Sequence, residues 1–201
     1  MKESVGEIIA KARESKGLSK RELSRLAKIS DTELARIESG EREIPNPKTL
    51  RKISKPVKVF DETLWQLLDD MYETMVFNYG VGIAAPQVGV LKRAVIVEIN
   101  NLKLELINPE IISKKGTRRE VEGCLSVKGV QGYVTRPQTV TVKAQDRYGN
   151  PYTLTGSDYL AQCICHELDH LDGILFIDIM DEVYSPKTKK EKQNKVKALS
   201  E

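Results

Sequence analysis

The 201 residues contain two histidines, and both lie in one run, His166-Glu167-Leu168-Asp169-His170. At a spacing of i, i+4 two imidazoles project from one face of a helix, a turn apart, where they can grip a single cation. The glutamate between them is placed to take a proton from a water beside such an ion, so this run can perform metal-assisted hydrolysis. The plainer alternative is a solvated histidine pair on a helix surface. The intervening acid, and the lack of any other histidine, argue against it.

A catalytic tetrahedral ion needs a third protein ligand. Cys163 lies on the same helical stripe but seven residues from His170, about 10.5 Å along the axis at ~1.5 Å per residue, beyond the reach of its short side chain. Cys165 is rotated about 100 degrees from His166. Both read as helix packing or pocket lining. Cys124, within Glu122-Gly123-Cys124-Leu125-Ser126, is left as a third ligand arriving from another segment, and Gly123 would let the backbone approach closely. A buried apolar cysteine is the alternative at Cys124.

Three stretches together resemble the signature motifs of the peptide deformylase family, and in the family's order. They are Gly80-Val81-Gly82-Ile83-Ala84-Ala85-Pro86-Gln87-Val88-Gly89, Glu122-Gly123-Cys124-Leu125-Ser126 and His166-Glu167-Leu168-Asp169-His170-Leu171-Asp172-Gly173. Arg136-Pro137 and Ile174-Leu175-Phe176-Ile177-Asp178 match as well; Lys128, where many relatives have proline, is a departure that touches no catalytic role. The resemblance implies hydrolytic removal of the formyl group from the N-terminal N-formylmethionine of nascent peptides, releasing formate. It implies metal ligation by Cys124, His166 and His170, and catalysis by Glu167 as base and then acid. Gln87, through its side-chain amide, and the backbone N–H of Leu125 would stabilise the developing oxyanion. Gly82 would offer backbone hydrogen bonds, and Val81, Leu125 and Cys163 would line the methionine pocket. The implied ion is Fe(II), with zinc, nickel or cobalt able to substitute. Arg136 reads as structural, holding an acid such as Glu122. Asp169 and Asp172 read either as acids orienting the ligand imidazoles or as helix-surface charges.

Those residues need elements to hold them. Asp61 is placed to cap a long amphipathic helix with Leu64, Leu67, Leu68, Met71 and Met75 on its apolar face, ending near Tyr79-Gly80. Strand-like runs follow at 94–99, 104–107 and 139–144, and residues 146–151 make a turn between two strands. A second helix spans 158–170. Strands and two helices without βαβ alternation predict an α+β fold, with peptide-deformylase-like mixed or antiparallel sheets around the metal-binding helix.

The first 46 residues read differently. Val5, Ile8, Ile9 and Ala12 recur at helical spacing, Lys16-Gly17 ends that run, and Ser19 with Glu22 forms a capping box for a second helix bearing Leu23, Leu26 and Ala27. A turn at 28–30 leads to a third helix with Leu34 and Ile37 inward, closed by Ser39-Gly40. This stretch resembles the helix-turn-helix of Cro-like phage repressors, a small all-α domain. Carried over, Asp31, Thr32, Glu33 and Arg36 would face DNA; Thr32 and Arg36 are the contact candidates, since the other two are acidic. A helical extension that packs or dimerises is the alternative.

Charge follows the same division. Residues 1–55 hold 14 Lys and Arg against 9 Asp and Glu, a net +5, while residues 56–201 hold 18 against 20, a net −2, within a formal total of +3. The expected domains are 1–46, 47–184 and a basic tail, 185–201, with six lysines against one glutamate over 187–197. Such a tail is a solvated helix or a segment that approaches ribosomal RNA. Acids at the N-terminus, no run near the ~20 apolar residues of a membrane span and an odd number of cysteines point to a cytoplasmic protein with free thiols. Two other functions fit parts of the pattern. One is a helix-turn-helix regulator fused to a His-Glu-x-x-His metallopeptidase, and the other is a regulator fused to a non-catalytic deformylase-like sensor.

Overall fold

A computed structural model of the chain describes residues 5–27 and 50–185. The expected turn at 28–30, the third helix with Thr32 and Arg36, the domain boundary at 46/47 and the lysine run at 187–197 lie outside the described residues. The chain forms two compact units, Met1–Ile44 and Pro45–Glu201.

In the first unit α1 (Val5–Ser15) and α2 (Lys20–Ala27) are joined by a turn in which Gly17 takes a positive φ of 64°. The expected capping box is present: the Ser19 N–H donates to Glu22 Oε2 at 2.8 Å, and the Glu22 N–H donates to Ser19 Oγ at 3.2 Å. These bonds satisfy donors that a helix start leaves open. Ala12 is exposed, whereas Ser24 is buried and returns its hydroxyl to the Lys20 carbonyl.

In the second unit α3 (Glu62–Phe77) starts at Asp61, whose side chain accepts the Leu64 N–H. It is followed by β1 (Gly82–Ala84), a 3-10 turn (Ala85–Val88), β2 (Ala94–Ile99), β3 (Leu102–Lys115), β4 (Arg118–Cys124) and β5 (Val127–Arg136). After these come β6 (Thr139–Gln145), β7 (Pro151–Ser157), α4 (Tyr159–Leu171), the short α5 (Phe176–Ile179) and β8 (Glu182–Val183). One sheet has the order β1-β2-β3-β6-β7 and the other β4-β5-β8, and every named strand pair is antiparallel.

The two-residue period of β2 decides how the layers stack. Ala94 and Ile96 face Leu64, Leu68, Met71 and Met75 of α3, while Val95 and Val97 face Ala161, Ile164 and Leu168 of α4. Over Ala94–Val97 β2 is therefore buried between two helices, which explains why these four residues read as an unbroken apolar run. Each fully buried Leu or Met here contributes about 1.5–3 kcal/mol. No described helix is long and apolar enough to cross a membrane.

Asn108 locks the entering chain to this sheet. Its Oδ1 accepts the Val57 N–H at 2.8 Å, and its Nδ2 donates to the Val57 carbonyl at 2.9 Å and to Gln145 Oε1 at 2.8 Å. It sits at a break in the β3–β6 register with φ 50°, a conformation asparagine tolerates better than alanine. Asn108→Ala should lower the unfolding free energy by about 1–3 kcal/mol in urea titration. A loss under about 0.5 kcal/mol, the range of neutral surface changes, would contradict this account of Asn108.

Candidate metal centre

The helical stripe of α4 sets the site. Tyr159, Gln162, Cys163, His166 and Glu167 recur at i, i+3, i+4, i+7 and i+8 and line one pocket. Across it, β4 ends at Cys124, where a shift in its pairing with β5 and a tight turn bring the thiol inward. The Ser126 N–H points at Cys124 Sγ from 3.3 Å.

Cys124 Sγ lies 3.2 Å from His170 Nε2, and ligand atoms of Cys124, His166 and His170 all fall within 4.8 Å of one another. Among the described residues this is the one cluster of Cys, His, Asp or Glu side chains tight enough to hold an ion. The donors suit one: a sulfur and two imidazole nitrogens on buried elements form a soft-to-borderline set with room for a fourth ligand. Two buried atoms there, Glu167 Oε2 and His170 Nδ1, have no hydrogen-bond partner among the described residues. An unpaired carboxylate oxygen beside the cluster fits a group waiting for water or substrate.

Behind the cluster stands Glu122. Its Oε2 is 2.9 Å from His166 Nδ1, which turns the other ring nitrogen toward the cluster. Arg136 grips the same carboxylate through Nε at 2.9 Å and Nη2 at 3.1 Å, and reaches Asp169 Oδ2 at 2.6 Å with Nη1. Burial opposes ionisation of Glu122, but its hydrogen bonds to His166 and Arg136 outweigh burial and hold its pKa down to about 2. Burial likewise opposes the charged form of His166, yet hydrogen bonds with Cys124 and Glu122 lift it to about 10. The environment of this ring thus favours positive charge, which a cation would supply in place of the proton. His170 lacks such support, and burial carries it down to about 3. Burial raises Glu167 to about 7, a range in which a carboxyl group can both take and give a proton.

The remaining expected residues converge on the same place. Gly82, Val81, Gln87, Leu125 and Cys163 line a cavity of about 670 Å³ together with Cys124, His166 and Glu167. A Cβ on Gly82 would stand 2.6 Å from Glu167 Oε1 and 2.8 Å from Cys163 Sγ, so only glycine lets β1 approach the helix this closely. Gln87 is buried; its Oε1 accepts the Ala84 N–H at 2.7 Å, which aims Nε2 at Ser126 Oγ, 3.1 Å away, on the Cys124 side. Neither Asp169 nor Asp172 has a hydrogen bond to a ligand imidazole: Asp169 binds Arg136 and Asp172 binds Arg93. That role falls to Glu122, whose position two residues before Cys124 on a strand, hence on the same face, was the signal for it. Gln162 and Ser126 were also missed as site residues.

The family model for polypeptide deformylase matches residues 42–185, and one for a helix-turn-helix domain matches residues 6–69, so the two overlap. The peptide deformylase of Caldicellulosiruptor bescii is 59% identical over 129 residues, which are 64% of this chain and 78% of that protein. A crystal structure of the Legionella pneumophila peptide deformylase superposes with a TM-score of 0.64 at 44% identity, over 76% of this chain and 92% of that one. The Met-Ala-Ser-bound structure of the Acinetobacter baumannii class I type b enzyme gives a TM-score of 0.63 at 36% identity, over 66% and 92%.

If Glu122 orients His166, Glu122→Gln should weaken metal binding by about 10- to 100-fold. Competition against a chromophoric chelator measures this, and an unchanged affinity in a folded variant would show that the carboxylate is not needed.

Proposed function

Because the chain belongs to the polypeptide deformylase family, whose members are metal-dependent hydrolases, we propose that it removes the formyl group from N-formylmethionyl nascent peptides through the site around Glu167. The observation that carries this reading is the convergence of Cys124, His166 and His170 within 4.8 Å, beside a buried Glu167 whose Oε2 has no partner among the described residues.

Cys124, His166 and His170 would hold the ion. A bound cation supplies Lewis acidity, making a neighbouring water acidic enough to act as a nucleophile at neutral pH. Glu167 takes the proton from that water as its oxygen attacks the formyl carbon. The formyl oxygen gains charge, and Gln87 Nε2 and the Leu125 N–H donate hydrogen bonds to it. When the C–N bond breaks, Glu167 returns a proton to the departing amine, leaving formate and a free methionine amine. Gly82 offers its backbone to the peptide, and Val81, Leu125 and Cys163 shelter the methionine side chain from water. The Met-Ala-Ser bound by the Acinetobacter baumannii relative is a peptide of the kind such a reaction would release.

For the ion we infer Fe(II), on the family resemblance; the thiolate and two imidazoles would accept zinc, nickel or cobalt in its place. A cytoplasmic location follows from the need to keep Cys124 a free thiol. The domain limits we adopt are 1–46, 47–184 and 185–201, with the first limit close to the division of the chain after Ile44. For the first unit we propose DNA binding through Thr32 and Arg36, supported by the helix-turn-helix match and the net +5 over residues 1–55.

The test of the enzyme is formate release from formyl-Met-Ala-Ser by Fe(II)-loaded protein prepared without oxygen. Glu167→Ala should retain the metal and lose at least about 100-fold in kcat, the lower end of what general acid–base catalysis contributes; no release by the parent, with metal bound, would refute the reading. Fragments of genomic DNA should shift in a gel at low salt, and the shift should weaken steeply as salt rises. No shift under those conditions removes the DNA role.

A further inference from the structure

We propose that Tyr79 is a specificity residue that selects for an apolar or aromatic side chain at the second or third position of the formylated peptide, an inference that rests on the deformylase reading. Tyr79 follows α3 in the left-handed region, with φ 56°. That conformation suits glycine or asparagine at a helix end, and a tyrosine holds it at a cost. The helix end does not need the ring. Its terminal carbonyls are met by backbone bonds that any residue could make, the Tyr79 N–H to Val76 O at 3.0 Å and the Gly80 N–H to Met75 O at 2.9 Å. Nor does the core use it, since the side chain is 97% exposed. The ring nevertheless lines the mouth of the cavity that holds Cys124, His166 and Glu167. A bulky aromatic kept in a conformation that disfavours it, solvated, at the rim of a pocket, has its use outside the fold.

The direction of the peptide follows from the strands. Among the described residues β1 is an edge strand, paired only with β2. The reacting groups lie along it: Glu167 Oε1 crowds Gly82, its first residue, and Gln87 sits in the 3-10 turn beyond its last. A peptide whose formyl group lies there and whose backbone follows the free edge of β1 runs back past Val81 and Gly80 toward Tyr79. From Gly82 to Tyr79 is three residues, about 10 Å at ~3.4 Å per extended residue. The ring is therefore within reach of side chains two or three positions into the peptide, while the methionine stays near Val81 and Cys163. An exposed tyrosine offers such side chains a rigid apolar face.

The experiment compares kcat/KM for formate release from formyl-Met-Leu-Phe and formyl-Met-Gly-Gly, with melting temperatures, for the parent, Tyr79→Gly and Tyr79→Phe. The parent should prefer the Leu-Phe peptide by about 3- to 10-fold, the size of one aromatic contact. Tyr79→Gly should bring that preference close to unity through KM while its melting temperature rises, since the strained position is relieved. Tyr79→Phe should keep the preference. The proposal is overturned if the parent shows no preference, if Tyr79→Gly retains it or loses both peptides equally, or if Tyr79→Gly melts lower than the parent. A parent that releases formate from neither peptide refutes the deformylase reading itself, an outcome distinct from the others.

Discussion

A carboxylate buried between an arginine and an imidazole is tenable only when all three groups keep fixed places, and the site's geometry depends on Glu122 meeting that condition. Its two oxygens bind Arg136 and His166 at 2.9–3.1 Å, and Asp169 takes the remaining arm of Arg136. As a source of stability such a pair is weak, because desolvating the charges costs several kcal/mol and apolar replacements are often neutral or better. Breaking one partner, however, strands a buried charge, at a cost of about 3–5 kcal/mol. The arrangement is rigid rather than strongly stabilising, and rigidity is what a metal ligand needs. Glu122 fixes the His166 ring, and the same strand delivers Cys124 two residues later.

The second constraint is close approach. The cavity lies between the edges of the two sheets, β1 on one side and β4 on the other, with α4 beneath. Gly82 allows β1 to come near Glu167, where any side chain at that position would collide with the carboxyl group. Burial of α4 then does electrostatic work. It raises Glu167 into the range useful for proton transfer and keeps His170 neutral, while the anion at Glu122 makes the region of His166 favourable for a cation.

Much of this was legible where the signals are local. The cap at Asp61, the turn at 146–151, the bounds of β2 and the box at Ser19 and Glu22 came from residues that interact with near neighbours. β4 and β5 escaped because Arg118-Arg119-Glu120-Val121-Glu122 carries no alternating apolar pattern; its strand character comes from pairing with β5. Only part of β3, residues 104–107, was expected, since its later half is polar and held by β6. Within the site the residue types and the i, i+4 spacing picked out the cysteine and two histidines that the structure brings together. The contact of Glu122 with His166, 44 positions apart, was missed because its signal, the two-residue spacing from Cys124, counts only on a strand, and no strand was expected there.

The claim most open to direct measurement is that one thiolate and two imidazoles hold the ion. X-ray absorption fine structure on the zinc-loaded chain reports the atoms around the metal themselves. The account predicts one sulfur at about 2.3 Å and two imidazole nitrogens at about 2.0–2.1 Å, with the sulfur lost in Cys124→Ala. A shell of nitrogen and oxygen alone in the parent chain would contradict it.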